Sequence, residues 1–140
     1  MPEGSRGLSI IVQSGGFDRV HYALVMASGA AATGRKVTLF FTGRALPALL
    51  VDNGWTRLDP ADDGMPALER ETLLARRGVA TLAELLEACG ELGVRFIACE
   101  MGWRALGIQA PETRPELAVE CAGIVTLLGG TPPDHHLLFV

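Results

Sequence analysis

The chain is short of long apolar runs, of basic charge and of paired cysteines, and each shortage removes a class of protein. No uncharged apolar segment reaches the ~18 residues that cross a bilayer, Val20–Thr33 coming nearest, so no membrane span is expected. Lys and Arg total 12 against 16 Asp and Glu, a formal net charge of −4. With no cationic excess to neutralise phosphates, nucleic acid is not an expected partner. The opening Met-Pro-Glu-Gly-Ser-Arg-Gly lacks the basic start, apolar stretch and small-residue cleavage site of a secretory signal, and the expectation is a cytoplasmic protein. The three cysteines, Cys89, Cys99 and Cys121, are odd in number and form no Cys-x-x-Cys pair. That supports neither a disulfide scaffold nor a structural zinc site and leaves them as single thiols.

Several chemical signatures are also missing. There is no GxGxxG or GxxxxGK[ST] loop to specify a nucleotide, no GxSxG nucleophile elbow and no HExxH zinc helix, so no cofactor is expected. His135 and His136 follow Asp134, but adjacent histidines in a strand face opposite ways, and no metal site is expected. His21, alone in a helix, reads as a satisfied core or surface group. Asp62-Asp63, Glu69 and Glu71 read as solvated surface, since nothing in the spacing sets them opposite a substrate.

What the chain does have is enough apolar sequence for one core: 140 residues, 49% hydrophobic and 20% charged. Leu8–Gln13 is a β-branched run ending at Ser14-Gly15-Gly16, a buried strand stopped by a tight turn. Asp18 is placed at a helix N-cap, Arg19–Thr33 forms the helix, and Gly34 takes the C′ position. That helix carries apolar residues on two faces, which calls for two packing partners, one of them available to another subunit. Lys36–Phe41 is a second strand ended by Thr42-Gly43, and Arg44–Asn53 is read as an amphipathic helix closed by Gly54.

Trp55–Pro66, rich in Pro, Asp and Gly, is read as a surface loop within the domain and the best candidate for a mobile, lid-like segment. Ala67–Arg76 is a short helix; Thr81 and Glu84 make a capping box for helix Leu82–Leu92, which Gly93 closes. Val94–Cys99 is a third strand and Glu100–Leu106 a short helix. Pro115–Cys121 reads as another helix, Ile124–Leu128 as a fourth strand and His136–Val140 as a fifth. Strands alternating with helices imply an α/β fold, a single domain over 1–140 with a parallel sheet of about five strands and helices on both faces. In such sheets ligands bind at the carboxyl ends of the strands.

Three turns converge on that edge: Ser14-Gly15-Gly16, Thr42-Gly43 and the Cys99-Glu100 junction. A thiol at a helix start is favoured as thiolate by unpaired amides and the helix dipole. Cys99 is therefore open between a nucleophile and a small core hydrophobe. Cys89, three and four residues after Leu86 and Leu85, lies in the apolar stripe of its helix and reads as core. Cys121 reads either as core or as a second thiol near Cys99.

The order of elements and several local strings resemble the DsrE/DsrF/DrsH-like family of small proteins associated with bacterial sulfur trafficking. The resemblance covers most of the chain. It rests on Leu8–Gln13 with its Ser-Gly-Gly turn and Asp18, on the alanine-rich helix leading to Val37-Thr-Leu-Phe-Phe-Thr-Gly43, on Cys99-Glu-Met-Gly with Leu106-Gly-Ile108, and on Ala122-Gly-Ile-Val-Thr-Leu127. The Cys-x-Met string followed by Leu-Gly-Ile marks the branch labelled peroxiredoxin-like.

The resemblance implies a flavodoxin-like sheet, assembly into homo-oligomers (trimers or hexamers), and a cysteine that carries sulfane sulfur as a persulfide between donor and acceptor proteins. Cys99 matches that branch's cysteine, whereas Cys121 stands where glycine is expected. On this basis Cys99 is the expected catalytic residue of a sulfurtransferase-like carrier. Gly15, Gly16 and the amides of Glu100, Met101 and Gly102 are expected to stabilise anionic sulfur, with Trp103 and Met101 sheltering it; Ser14, Thr42, Gly43 and Cys121 complete the set. The competing expectation is a non-catalytic oligomeric module that binds a small anion at the strand ends. Thiol redox chemistry would require Cys99 and Cys121 within disulfide reach, Cα atoms no more than ~7 Å apart.

Overall fold

The computed structural model describes residues 6–140. Residues 1–5, where the stretch read for targeting begins, lie outside the described residues. In chain order the elements are β1 (Leu8–Val12), α1 (Phe17–Ala32), β2 (Val37–Phe41), two 3-10 helices (Gly43–Leu49 and Gly54–Arg57), α2 (Ala67–Arg76), α3 (Leu82–Glu91), β3 (Arg95–Cys99), α4 (Glu100–Ala105), a 3-10 turn (Pro115–Leu117), β4 (Glu120–Ala122), α5 (Ile124–Gly130) and β5 (His136–Phe139). All strands run parallel in the order β4-β3-β2-β1-β5, so the fold is α/β with a five-stranded, flavodoxin-like sheet. Among the described residues no helix is long and apolar enough to cross a membrane.

Winding from β1 through β2 to β3 in one direction puts the intervening helices on one face, because parallel crossovers are right-handed. There Ile10, Val12, Leu39, Phe41, Phe96 and Ala98 join α1 and α3 in the larger core cluster, and Phe41 stacks on Phe96 with centroids 6.0 Å apart. Alternation sends Ile11, Phe40, Ile97 and Cys99 to the other face. That face receives α5, which carries the chain back across the sheet from β4 to β5, and Leu127 of α5 completes a smaller cluster with them.

The α3 N-terminus is secured twice. Thr81 and Glu84 form the expected capping box, and the buried Glu71 carboxylate accepts from the amides of Leu82 and Ala83 at 2.7 and 2.9 Å. Glu71 is thus a structural anion and not surface charge.

Five expectations are corrected. Arg44–Asn53 is not an α-helix: a 3-10 helix ends at Leu49, because Pro47 lacks an amide and Leu50 turns extended. Gly54 does not close a helix. It opens the next 3-10 turn, where a Cβ would strike the Pro47 carbonyl at 2.2 Å. Pro115–Cys121 shrinks to a single turn at Pro115–Leu117, stopped by left-handed Ala118, and Cys121 belongs to β4. Ile124–Leu128 is not a strand but the start of α5: extended Gly123 ends β4, and its carbonyl accepts from Thr126 and Leu127 as helix bonds. Asp18 is not the N-cap, since Gly16 precedes a helix that begins at Phe17. It lies in the first turn, where its carboxylate accepts from the Asp62 amide at 3.1 Å and faces Arg70.

Candidate functional site

The carboxyl edge of the sheet is built from the turns the sequence picks out, but their polar groups are largely engaged. Gln13 and Ser14 amides both donate to the Val140 carbonyl, at 2.8 and 3.1 Å, across the point where β1 lies between β2 and β5. The Gly16 amide donates to the Ser14 hydroxyl at 3.2 Å, Gly15 accepts from the Asp59 amide at 2.8 Å, and Asp59 accepts from Phe17. A Cβ at Gly15 would meet Arg44 Cβ at 2.5 Å and Asp59 Oδ2 at 2.7 Å, so this glycine serves close packing of the loop against the turn. Arg44 pairs with Asp59 through its Nε at 2.8 Å and through Nη2, and that hydrogen bond holds the Asp59 carboxyl below the ordinary carboxylate range.

Trp55–Pro66, read as the lid candidate, is therefore anchored. Trp55, Leu58 and Ala61 are buried, Arg19 approaches Asp62 at 3.7 Å, and Arg70 meets Asp63 at 2.7 Å. The Met65 amide and then Arg70 lower the Asp63 pKa. Asp62-Asp63 thus fasten the loop to α1 and α2.

Thr42, Gly43 and Gly102 come together. Gly43 has φ +54°, and a Cβ at Gly102 would lie 3.3 Å from both the Gly43 nitrogen and the Thr42 hydroxyl. Glycine at 102 lets α4 close on the end of β2.

Cys99 is the last residue of β3 and the residue before α4. It is 3% exposed and packs with Phe40, Ile97 and Leu127 on the α5 face. Met101 is largely exposed, while Trp103 is buried in the larger cluster. Cys121 is exposed, and burial, Glu100 and Cys99, in that order, raise its pKa. The register sets Cys99 beside Ala122 and Cys121 beside Ala98, so the two side chains leave neighbouring strands on opposite faces, a poor geometry for a disulfide. The Cys121 side opens into a cavity of about 390 Å³ shared with Glu100, Trp103, Arg104 and Ile108.

Cys89 is buried in α3 and burial pushes its thiol up to about 12, leaving on the order of one molecule in 10⁵ as thiolate at neutral pH. His21 lies 2.8 Å from the Ala80 carbonyl and stacks on Phe17. Among the described residues no group of three or more His, Cys, Asp or Glu side chains is placed to hold a metal.

The sequence pattern did not find Glu71, the Arg44–Asp59 pair or the groove beside Cys121. The first two are tertiary meetings with no local signal; the third joins α4 and the segment after it to Cys121 of β4, which no single local string marks.

The fold is a parallel α/β sheet in which an interior strand, β3, ends in a cysteine at a helix start. The chain belongs to the DsrE/DsrF/DrsH-like family, whose model matches residues 56–131. It is 26% identical, over an alignment of 164 residues spanning the whole of both chains, to the "Uncharacterized protein YrkE" of Bacillus subtilis (strain 168). It is 29% identical over 117 residues, 67% of this chain and 74% of the relative, to the "Sulfur carrier protein DsrE2" of Allochromatium vinosum.

Proposed function

We propose that the chain is a sulfur-trafficking protein in which Cys99 accepts sulfane sulfur as a persulfide and passes it to a thiol on a partner. The observation that carries this reading is the position of Cys99 at the β3–α4 junction beneath one short helix, in a family member with similarity to a sulfur carrier. In the loading step the Cys99 thiolate attacks the outer sulfur of a donor persulfide or polysulfide. A new S–S bond forms at Cys99, the donor's S–S bond breaks, and the donor leaves as a thiolate with no net oxidation. Unloading is the same exchange with an acceptor thiolate attacking the terminal sulfur.

Exchange needs an accessible sulfur, and Cys99 is covered. The cover is slight: of α5, Leu127 alone is buried, Gly123 precedes the helix and Gly129-Gly130 are its last two residues. Displacing α5 uncovers Cys99 without disturbing α1 or α3, so α5 acts as the gate. Val125, at 82% exposure, and Leu128 on α5, with Leu137 and Phe139 on β5, also leave apolar surface in water, which supports assembly of copies of the chain around this side.

The test is intact mass spectrometry after exposure to polysulfide, comparing the natural chain with Cys99→Ser and Cys121→Ser. The expected result is a reductant-labile gain of one sulfur atom on the natural chain and on Cys121→Ser, absent from Cys99→Ser. No adduct, with Cys99 also unreactive toward alkylation in the folded protein, would make the chain a non-catalytic module instead.

A further inference from the structure

A cavity lies at the end of the sheet where the strands begin, opposite the edge at which β3 ends in Cys99. Its volume is about 580 Å³, within the ~300–1,000 Å³ range of small-molecule sites. Arg35, Lys36, Arg95 and His135 line it, with the Glu120 carboxylate paired to Arg95, in a chain whose net charge is −4.

Cations at this end of a parallel sheet have an ordinary explanation, the partial negative charge of helix C-termini. Here those carbonyls are already closed by the chain itself. The last turn of α1 accepts from the amides of Thr33, Gly34 and Arg35, that of α3 from Leu92, Gly93 and Val94, and in α5 the Thr131 hydroxyl donates to Leu127 at 2.7 Å.

The floor of the cavity is a second, independent sign. Parallel register aligns Ser9, Thr38 and Arg95 in one row across β1, β2 and β3, on the face where the next row is Ile11, Phe40 and Ile97. Three adjacent strands thus turn polar together at the cavity and apolar one step beyond it. Ser9 is one of three buried polar side chains among the described residues; the other two, Glu71 and Thr81, serve the α3 cap, and Ser9 lines the cavity.

Arg35 donates to the Arg6 and Gly7 carbonyls and to His136 Nδ1, and Arg95 pairs with Glu120, contacts that fix both guanidinium groups at the wall. The ion pairs among the described residues do not include Lys36. Leu127 supplies apolar wall on the face of the polar row, and Leu92, after α3, lines the cavity from the other side of the sheet edge.

The geometry points to a binding site for a small organic phosphate or sulfonate. Its tetrahedral anionic head is held by Lys36, Arg95 and the Ser9 and Thr38 hydroxyls, and its short apolar body lies against Leu127. Several charge-assisted donors arriving from different strands suit a tetrahedral oxyanion better than a planar carboxylate. The cavity also exceeds what an inorganic ion would fill.

The experiment titrates the full chain with phenyl phosphate and, separately, with inorganic phosphate, following amide chemical shifts at constant ionic strength. Phenyl phosphate is expected to saturate with shifts centred on Ser9, Thr38 and Thr126. It should bind at least tenfold more tightly than inorganic phosphate and be weakened roughly tenfold by Lys36→Gln and by Thr38→Val, with melting temperature as the check on folding. Absence of saturable shifts, equal affinity for inorganic phosphate, or shifts that survive both substitutions would each overturn the proposal. Cys99 does not line the cavity, so binding is read in the Cys99→Ser chain as well, where loss of persulfide formation leaves the phenyl phosphate shifts unchanged; Leu127 belongs both to this wall and to the cover over Cys99.

Discussion

On one face of the sheet Ile10, Val12, Leu39, Phe41 and Phe96 lie at 1% exposure or less beneath two full helices; on the other, Phe40, Ile97 and Cys99 lie beneath a seven-residue helix that buries only Leu127. Both faces belong to the same strands, so strand sequence alone does not decide how firmly a face is held. The cover does. The α1–α3 face supplies most of the buried apolar area and hence most of the stability. The α5 face holds its candidate nucleophile under a cover that can yield at modest cost, as regions that open for function do.

The comparison breaks most visibly with Phe41→Ala. Loss of a fully buried ring from the thick face is expected to cost about 3–5 kcal/mol in urea unfolding. Leu127→Ala should cost less, about 2 kcal/mol, the low end for a buried leucine because the short helix can collapse onto the gap. It should also speed Cys99 alkylation severalfold in the folded protein, whereas a milder lesion on the thick face, Leu39→Val, should leave that rate unchanged.

Glu71→Ala removes the acceptor for the buried Leu82 amide and the half-buried Ala83 amide at the α3 start and is expected to cost about 1–3 kcal/mol without altering Cys99 labelling. The smallest effect runs in the opposite direction. Gly123 precedes α5 in an extended conformation with open space where a Cβ would go, and α5 has no side-chain cap. Gly123→Ser should stabilise by a few tenths of a kcal/mol and slow Cys99 alkylation.

Acid provides a further discrimination. The Asp59 carboxyl is lowered in the fold, so Arg44 stabilises the loop above the ordinary carboxylate pKa, and that contribution disappears as pH falls through the lowered native value. Asp59→Asn should therefore melt below the natural chain near neutral pH and converge with it in acid. Cys99 accessibility should not follow that trend, because the loop lies away from α5.

The thick face is legible in the sequence because its signals are local and repeated: apolar runs in β1 to β3, the long apolar α1, and the Thr81–Glu84 box. The errors gather where the chain is short and its partner distant. Ile124–Leu128 has the composition of a strand, and only its task of covering a sheet already supplied with β4 makes it a helix. Pro47 was inside a pattern that otherwise reads as helical, and a missing amide outweighed the periodicity. The position of Cys99 at the end of β3 followed from the Val94–Cys99 run, but its burial did not, since the residues over it come from a segment read as a strand. Asp62 and Asp63 are exposed, as their composition implies, even while they pair with Arg19 and Arg70, whereas Glu71 departs from a solvent-facing reading because the amides it accepts from belong to another helix.

The two outer strands are also unlike. β4 has three residues and carries the Arg95–Glu120 ion pair, whereas β5 leaves all four of its residues exposed. Growth of a continuous sheet from molecule to molecule would require the β5 border of one copy to pair with the β4 border of the next, and the short, charged β4 blunts that joint. A self-complementary meeting of two β5 borders has no such obstacle. The two borders of one sheet thus differ in how readily they accept another strand.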